Sequence, residues 1–586
     1  MASQRRALGS TDRVDTWRAA ALSVLCLGIL HAWHRRFVMD DAFISFRYAR
    51  NLAEGHGLVF NPGERVEGFT NLLWTLWLAI PHSLHLDPVA FVYGTGMLTV
   101  GLTLLATLRL GRELIGPSAA LVAMVLVAVN STSAAFATGG LETGWQTLGI
   151  TLSTGLAAWI WARERESDAD NARGTNARYV WSLVATFTLL ARLDSALLLA
   201  PGGWLLLTER ATSSDETRRL SLGRAASVLL LPGVALIASS LWRYAYYGAW
   251  LPHTFHVKSQ VPGGVSVWLE HGGLYATAWF VSFGWILVAA VLWFRRREFS
   301  GDLGRAGLLL LVAPVVLWTA YVIRIGGDFM ELRLFVPITP LVATAVAWAI
   351  RRLPRGAGVA LLALLLVLGG VHDPLFRQTL FFDRVESMRE LRSHLDPSSP
   401  LEWRRIGREL GRQLGNGRES EGESEGRSEG GSSVGDGVRI ALTPAGAIPY
   451  ESRLYTIDML GLCDPWIGGE ARPYTDRAGH RTIAPVSYLR KRNAHLLLGH
   501  PEEGSPAKRV DGYRLRDLDP YGQLYADQTA FPPGTTVVEM PLGNGHTVAM
   551  IYLVRHPLIE ARIAAGEWIQ SALEIEPDPS MRRQAD

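Results

Sequence analysis

From Trp17 to Val371 long apolar runs alternate with short arginine-rich breaks, whereas Asp373 to Asp586 is polar with only brief apolar stretches. A helix needs about 20 mostly apolar residues to cross a bilayer. On that measure spans are predicted at 17–34, 90–109, 117–137, 145–162, 179–190, 196–208, 225–246, 274–294, 306–323, 336–350 and 357–372, eleven in all. The runs 179–190 and 196–208 are short and flank Arg192 and Asp194, so they read either as two spans or as one broken hairpin that does not fully cross. Residues 71–84 are too short for a span and read as an interfacial or re-entrant helix. The pattern predicts a polytopic α-helical membrane domain over 1–372, with its first outer loop at 34–88, followed by a soluble domain over 373–586.

Basic residues give the orientation. With the N-terminus in the cytoplasm, 21 Arg fall on inner segments, against 10 Arg and Lys on outer loops; Arg35 and Arg36 are local exceptions. This bias follows the positive-inside rule and, with an odd number of crossings, puts everything after Asp373 outside the cytoplasm. The run from Trp17 to Trp33 lacks a small-x-small cleavage pattern and reads as a retained signal anchor. In the soluble part a helix is predicted over Arg377 to Leu395. The tract Gly415 to Gly437, made of Gly, Ser, Glu and Arg, cannot bury a core and reads as a disordered insertion. Strands are predicted at 438–442 and 454–458, a helix between them, and a hairpin about Gly543-Asn544-Gly545, which together give an α/β domain.

Composition narrows the function classes. Hydrophobic residues make up 48% and charged residues 19% of the 586, which excludes a soluble enzyme of this size. Net charge is +3 and the basic residues are spread by topology, so no nucleic-acid partner is expected. Two cysteines, Cys26 and Cys463, supply neither a disulfide framework nor a thiolate metal site.

The candidate chemistry lies in the outer loops. Asp40 and Asp41 sit together just beyond the first span, where like charge and partial desolvation raise a carboxyl pKa and suit a proton acceptor. The plainer reading is two acids at a helix N-terminus. The same loop carries Arg47, Arg65, Glu67 and Asn71, read as organising it or binding an acceptor, with Arg192 and Asp194 at the tip of the short hairpin in the same role. Glu142 precedes the fourth span and is read as a catalytic-site residue that orients Asp40, binds the acceptor or holds a cation; His253, His256 and Lys258 occupy a later outer loop, and Arg324, Asp328 and Arg333 the next. Polar groups from five loops above an apolar bundle read as the rim of a lipid-accessible active site.

DDAFISFRYARNLAEGHGLVFNPGERVEGFTN, GLETGW, LARLD, YYGAWLPHTFHVKS, GGDFMELR, IDMLGLCDP and AGH together resemble the terminal β-(1→2) arabinofuranosyltransferase family of mycobacterial cell walls, which has the C-type fold of polyprenyl-phosphate-sugar-dependent glycosyltransferases. The resemblance runs from about Arg35 to Ala484. It implies Asp40 as the catalytic base, Asp41 as its helper, and donor phosphate handled by the loops of Lys258 and Arg333. The chain departs from that pattern around Ala42-Phe43, around His253–Lys258 and through much of the soluble domain, which leaves the sugar open. The expected reaction is inverting transfer from a polyprenyl-phosphate sugar to a cell-envelope polysaccharide or glycolipid acceptor, on the outer face of the bacterial cytoplasmic membrane. No cofactor beyond the lipid-linked donor is required by this chemistry, although the clustered carboxylates leave a divalent cation open. The alternatives are a lipid-linked sugar transporter or flippase, which needs polar residues inside the spans, and a non-catalytic glycan-binding scaffold, which leaves the paired aspartates unexplained.

Overall fold

The computed structural model describes residues 2–166, 171–208, 222–259, 265–371, 385–415, 437–471, 482–519 and 530–575. Most of the tract at 415–437 and the start of the helix expected from Arg377 lie outside these residues; the rest of that helix is Met388–Ser393.

Helix occupies all eleven apolar runs. Among the described residues five segments are long and apolar enough to cross a bilayer: Thr16–His34, Pro88–Ile115, Leu222–Tyr247, Leu303–Arg324 and Arg333–Arg352. The run read as one span at 274–294 is instead a pair, Trp268–Ser282 and Trp285–Phe294, bent by 84°. Its break is Gly284, which takes the left-handed conformation at φ 68°. Pro117–Val129, Leu193–Leu207 and Arg355–Gly370 are apolar but shorter than a lone span. The short hairpin is resolved into Asn171–Ala191 and Ala196–Leu207, joined at Arg192–Ser195, and residues 71–84 form the helix Leu72–Ser83. Leu22, Leu27, Leu30, Leu229 and Ile237 stand exposed on the outside of the bundle, the surface a lipid phase would cover.

The bundle has two chemically different ends. The helix Thr143–Glu166 begins beside Glu142, and near its other end, roughly 33 Å away at 1.5 Å per residue, Glu164 pairs with Arg178 and Arg224. The end beginning at Glu142 carries the long first loop and the C-terminal domain.

That domain is one seven-stranded sheet. Its strands are β1 Arg439–Leu442, β2 Tyr455–Asp458, β3 Leu496–Glu503, β4 Tyr513–Arg514, β5 Thr536–Pro541, β6 Thr547–Tyr552 and β7 Ile569–Glu574. Their order is β2-β1-β3-β6-β5-β7-β4. β1 runs parallel to β2 and β3, and the β5–β6 hairpin adds antiparallel to β3. The short apolar run of β1 suits a strand covered on both faces. Ile440 and Leu442 belong to one core cluster and Ala441 to another. The first of these clusters continues without interruption into the first loop, taking in Phe37, Phe43, Phe46 and Trp74. The membrane and sheet domains therefore share a hydrophobic core.

Candidate active site

The first loop folds into a helix, Asp40–Ala53, with both acids in its first turn, where carboxylates favour the helix dipole. Every residue from Ala42 to Asn51 is buried, because the helix is wedged between the bundle and the sheet domain rather than lying on a surface. Arg47, 2% exposed, donates to the carbonyls of Phe60, Pro449 and Leu454 and to Asn61 Oδ1, so it is the bolt joining loop to sheet domain. Glu67 is buried in an ion pair with Arg243 at 2.6 Å, and Arg65 lies over the Tyr246 ring.

Beside this helix opens a cavity of about 430 Å³, lined by Asp41, Asn71, Glu142, Arg192, Asp194, Asp328 and Arg333 together with apolar groups such as Phe69, Phe255 and Leu334. Its polar wall is a chain of hydrogen bonds. Asn71 Nδ2 donates to Glu142 Oε2 at 2.7 Å, Arg192 Nη1 to Glu142 Oε1 at 2.7 Å, and Arg192 holds Asp194 through Nε at 3.0 Å and Nη2 at 2.5 Å. Burial pushes the Glu142 carboxyl up, but Arg192, Arg333 and the Asn71 amide outweigh it and hold it below the usual carboxylate range. These partners favour the carboxylate form of Glu142.

On another part of the wall, Arg333 Nη2 donates to Asp328 Oδ2 at 2.5 Å, while its Nε is buried with no hydrogen-bond partner among the described residues. The loop that presents it needs two glycines in positive φ, Gly326 at 81° and Gly327 at 76°, and Leu332 is held at φ 42°, an unfavourable value for a side chain with a Cβ. A Cβ on Gly327 would also lie 2.8 Å from Tyr275 Cβ.

The two adjacent aspartates point to different partners. Asp41 is on the cavity wall. Asp40 is not; its carboxylate accepts from the backbone N–H groups of Gly446 at 3.2 Å and Ala447 at 2.7 Å in the sheet domain. Burial raises the Asp40 carboxyl to about 7, with the charges of Asp41 and Glu386 adding to it and the two N–H bonds opposing.

This architecture has a known counterpart. The chain superimposes on the archaeal oligosaccharyltransferase AglB of Archaeoglobus fulgidus, solved with an inhibitory peptide and a dolichol-phosphate, at a TM-score of 0.50 and 11% identity, covering 93% of this chain and 77% of that one. The fold is shared with a membrane oligosaccharyltransferase. In sequence it is 30% identical over 354 residues to the terminal β-(1→2)-arabinofuranosyltransferase of Corynebacterium glutamicum, covering 55% of this chain and 49% of that protein. It is 30% identical over 374 residues to the enzyme of the same name from Mycobacterium tuberculosis, covering 56% and 55%. The chain spans about half the length of these curated relatives. Residues 430–548, most of the sheet domain, match a family described only as a domain of unknown function, DUF8728.

Arg324 and His253 are not among the residues that line the cavity. Arg324 lies 3.6 Å over the Trp268 ring, and His253 Nε2 meets the carbonyls of Gly461 and Asp464 at 3.0 and 3.2 Å. His256 and Lys258 belong to the helix His253–Ser259, whose Thr254 and Phe255 reach the cavity, but their own side chains lie outside those described. Three members of the polar wall escaped the sequence reading. Ser45 bonds Asn71, Gln146 bonds Asp194 and Ser195, and Tyr321 OH donates to Asp194 Oδ2 at 3.3 Å. Gln146 sits four residues after Glu142, one helical turn on, and that spacing was a usable signal. Among the described residues no three His, Cys, Asp or Glu side chains gather as metal ligands, and Glu142, a natural donor for a divalent cation, already has both oxygens occupied.

Proposed function

We propose that this protein is a membrane glycosyltransferase that moves a sugar from a polyprenyl-phosphate donor to a cell-envelope glycan. The observation that carries the reading is one cavity holding both a carboxylate, Asp41, and a buried arginine with an unused donor, Arg333, at the same end of an apolar helical bundle. The sequence similarity to arabinofuranosyltransferases supports the same class and favours a pentofuranose.

In the proposed step an acceptor hydroxyl gives its proton to Asp41 as its oxygen bonds to the anomeric carbon. The bond from that carbon to the phosphate oxygen breaks on the opposite face, inverting the centre and leaving a polyprenyl phosphate. Arg333, with Lys258 from the neighbouring helix, would take up the charge developing on that phosphate. Asp328 fixes the Arg333 fork, and Glu142 with Arg192 and Asn71 makes a rigid wall that costs no reorganisation during the reaction. The sequence resemblance implies Asp40 as the base; we assign the role to Asp41 because that side chain lines the cavity, with Asp40 beside it in the same helical turn.

Transfer assayed in membranes with synthetic polyprenyl-phosphate pentoses and hexoses tests the class and names the sugar. Asp41→Asn should lose about 10²-fold or more in rate, the usual worth of a general base. Arg333→Ala should lose about 2–4 kcal/mol in kcat/KM. Wild-type membranes that transfer none of these sugars, or an Asp41→Asn protein within tenfold of wild type, would sink the reading.

A further inference from the structure

The first loop and the sheet domain also meet around an aromatic side chain that the reaction above does not use. Trp466 is 39% exposed and belongs to none of the four apolar clusters of the described residues. An indole left in water forgoes the burial such a side chain normally gains. Its orientation is nevertheless fixed. The ring lies flat on that of Tyr488, with centroids 4.1 Å apart and planes 10° from parallel. Tyr488 is pinned in turn, its hydroxyl donating to Asp464 Oδ1 at 3.0 Å and accepting from Arg492 Nη1 at 2.9 Å. The buried Asp464 carboxylate accepts from the N–H groups of Trp466 and Ile467 at 3.1 and 3.2 Å, and so caps the short helix Pro465–Glu470 that carries the indole. Arg492 reaches across to the first loop, where its Nη2 donates to Glu64 Oε1 at 2.6 Å.

The stack is continuous with the cavity. Leu462 is on the cavity wall, four residues before Trp466, so the two Cα atoms are within about 14 Å of each other by chain length. The helix Pro465–Glu470 also packs on the helix His253–Ser259, whose Thr254 and Phe255 line the cavity. That contact is close: a Cβ on Gly468 would lie 2.3 Å from His253 Nε2 and 2.6 Å from Val257 Cγ2.

We propose that Trp466 is a glycan subsite that holds one sugar unit of a long acceptor, a few units back from the hydroxyl that reacts in the cavity. The apolar C–H face of that sugar stacks on the indole. Arg492 and Glu64, whose side chains are 24% and 34% exposed, stand beside it as donor and acceptor for sugar hydroxyls. A ring already held in place loses little freedom on binding, which is the use of aiming it so firmly. A membrane surface is the other partner an exposed tryptophan fits, but interfacial anchoring needs neither a stacked partner ring nor a buried carboxylate to set the angle. The acceptor role rests on the glycosyltransferase reading and deepens it, since the subsite makes the enzyme prefer a polysaccharide to a short acceptor.

The test titrates full-length protein in detergent with arabinofuranosyl and mannopyranosyl disaccharides and octasaccharides, and assays transfer to the same acceptors in membranes. Wild type should bind the octasaccharide of one sugar series about tenfold more tightly than its disaccharide, the weight of one good stacking contact. Trp466→Ala should remove that gain, raising KM for the octasaccharide about tenfold while kcat, donor KM and disaccharide KM stay within about twofold. Trp466→Phe keeps a smaller ring on Tyr488 and should recover most of the loss. Folding is checked by size exclusion; if Trp466→Ala loses its fold, Trp466→Leu, which fills the space without a ring, decides in its place. The proposal is overturned if wild type binds short and long acceptors of both series equally. It is overturned too if Trp466→Ala weakens both lengths alike, which would mark a packing or membrane contact, or if only kcat falls. Membranes that transfer no sugar, with octasaccharide binding still dependent on Trp466, would sink the transferase reading and leave the glycan site standing.

Discussion

Asp40 and Asp41 are chemically identical neighbours that the fold gives different surroundings. One faces a cavity and the other a pair of backbone N–H groups. The sequence made the pair conspicuous, but adjacent positions in a helix point about 100° apart, and no local pattern says which direction the distant residues 446–447 will fill. Asp40 also carries a pH signature. Its carboxyl is raised from 3.8 to about 7 by burial first, then by Asp41 and Glu386, against the N–H groups of Ala447 and Gly446. In the unfolded chain it ionises near pH 4. Between about pH 4 and 7 the unfolded state has therefore released a proton that the folded state still holds, so this group's contribution to stability falls as pH rises through that window and is constant above it. Each pKa unit is worth about 1.4 kcal/mol. The Tm of wild type relative to Asp40→Asn should accordingly drop by several degrees from pH 4 to 7 and level off beyond. A difference that stays flat across pH 4–7 would mean the carboxylate is ionised throughout.

Elements were legible where one physical signal dominated. β1, β2 and the β5–β6 hairpin follow from short apolar or alternating runs ending in turn residues, and they stand within a residue or two of where the pattern puts them. β3 was not legible. Its LLLGHPEE carries glycine and proline, and the ladder to β6 shifts register between Leu497 and Glu502, so no strand period survives. The bend at 283–284 was hidden for the opposite reason, since apolarity runs through it unbroken and hydropathy is blind to backbone handedness. Gly284 at φ 68° is what allows the 84° bend, and a Cβ there would meet Leu368 Cδ1 at 2.9 Å and Leu365 Cδ2 at 3.0 Å. Gly284→Ala should cost about 1–2 kcal/mol from the left-handed backbone alone. The leucine tips can yield, so the loss should stay near that figure; thermal unfolding in detergent would show it as a lowered Tm. A neutral or stabilising substitution would indicate that the two halves straighten into one span.

At the scale of the whole molecule, the polar cavity, the first loop and the sheet domain share one end of the bundle, while Glu164, Arg178 and Arg224 mark the other. This segregation matches the loop grouping expected from arginine counts, but a structure without a bilayer carries no sign for inside and outside. The charge bias predicts the sign: the arginine-rich end toward the cytoplasm, and the site and sheet domain away from it. Two exposed serines separate the possibilities. Ser398 lies at the sheet-domain end, in a turn closed on Asp396, and Ser300 lies in the arginine-rich segment after the bent pair. Of the native thiols Cys463 is buried, so Cys26 is the background to subtract. In intact cells Ser398→Cys should react with a membrane-impermeant maleimide and Ser300→Cys should not, both reacting after lysis. The reverse pattern would place the cavity in the cytoplasm, where nucleotide-sugars are at hand and a polyprenyl-phosphate donor gives no advantage, so the same experiment that fixes the orientation also bears on the choice of donor.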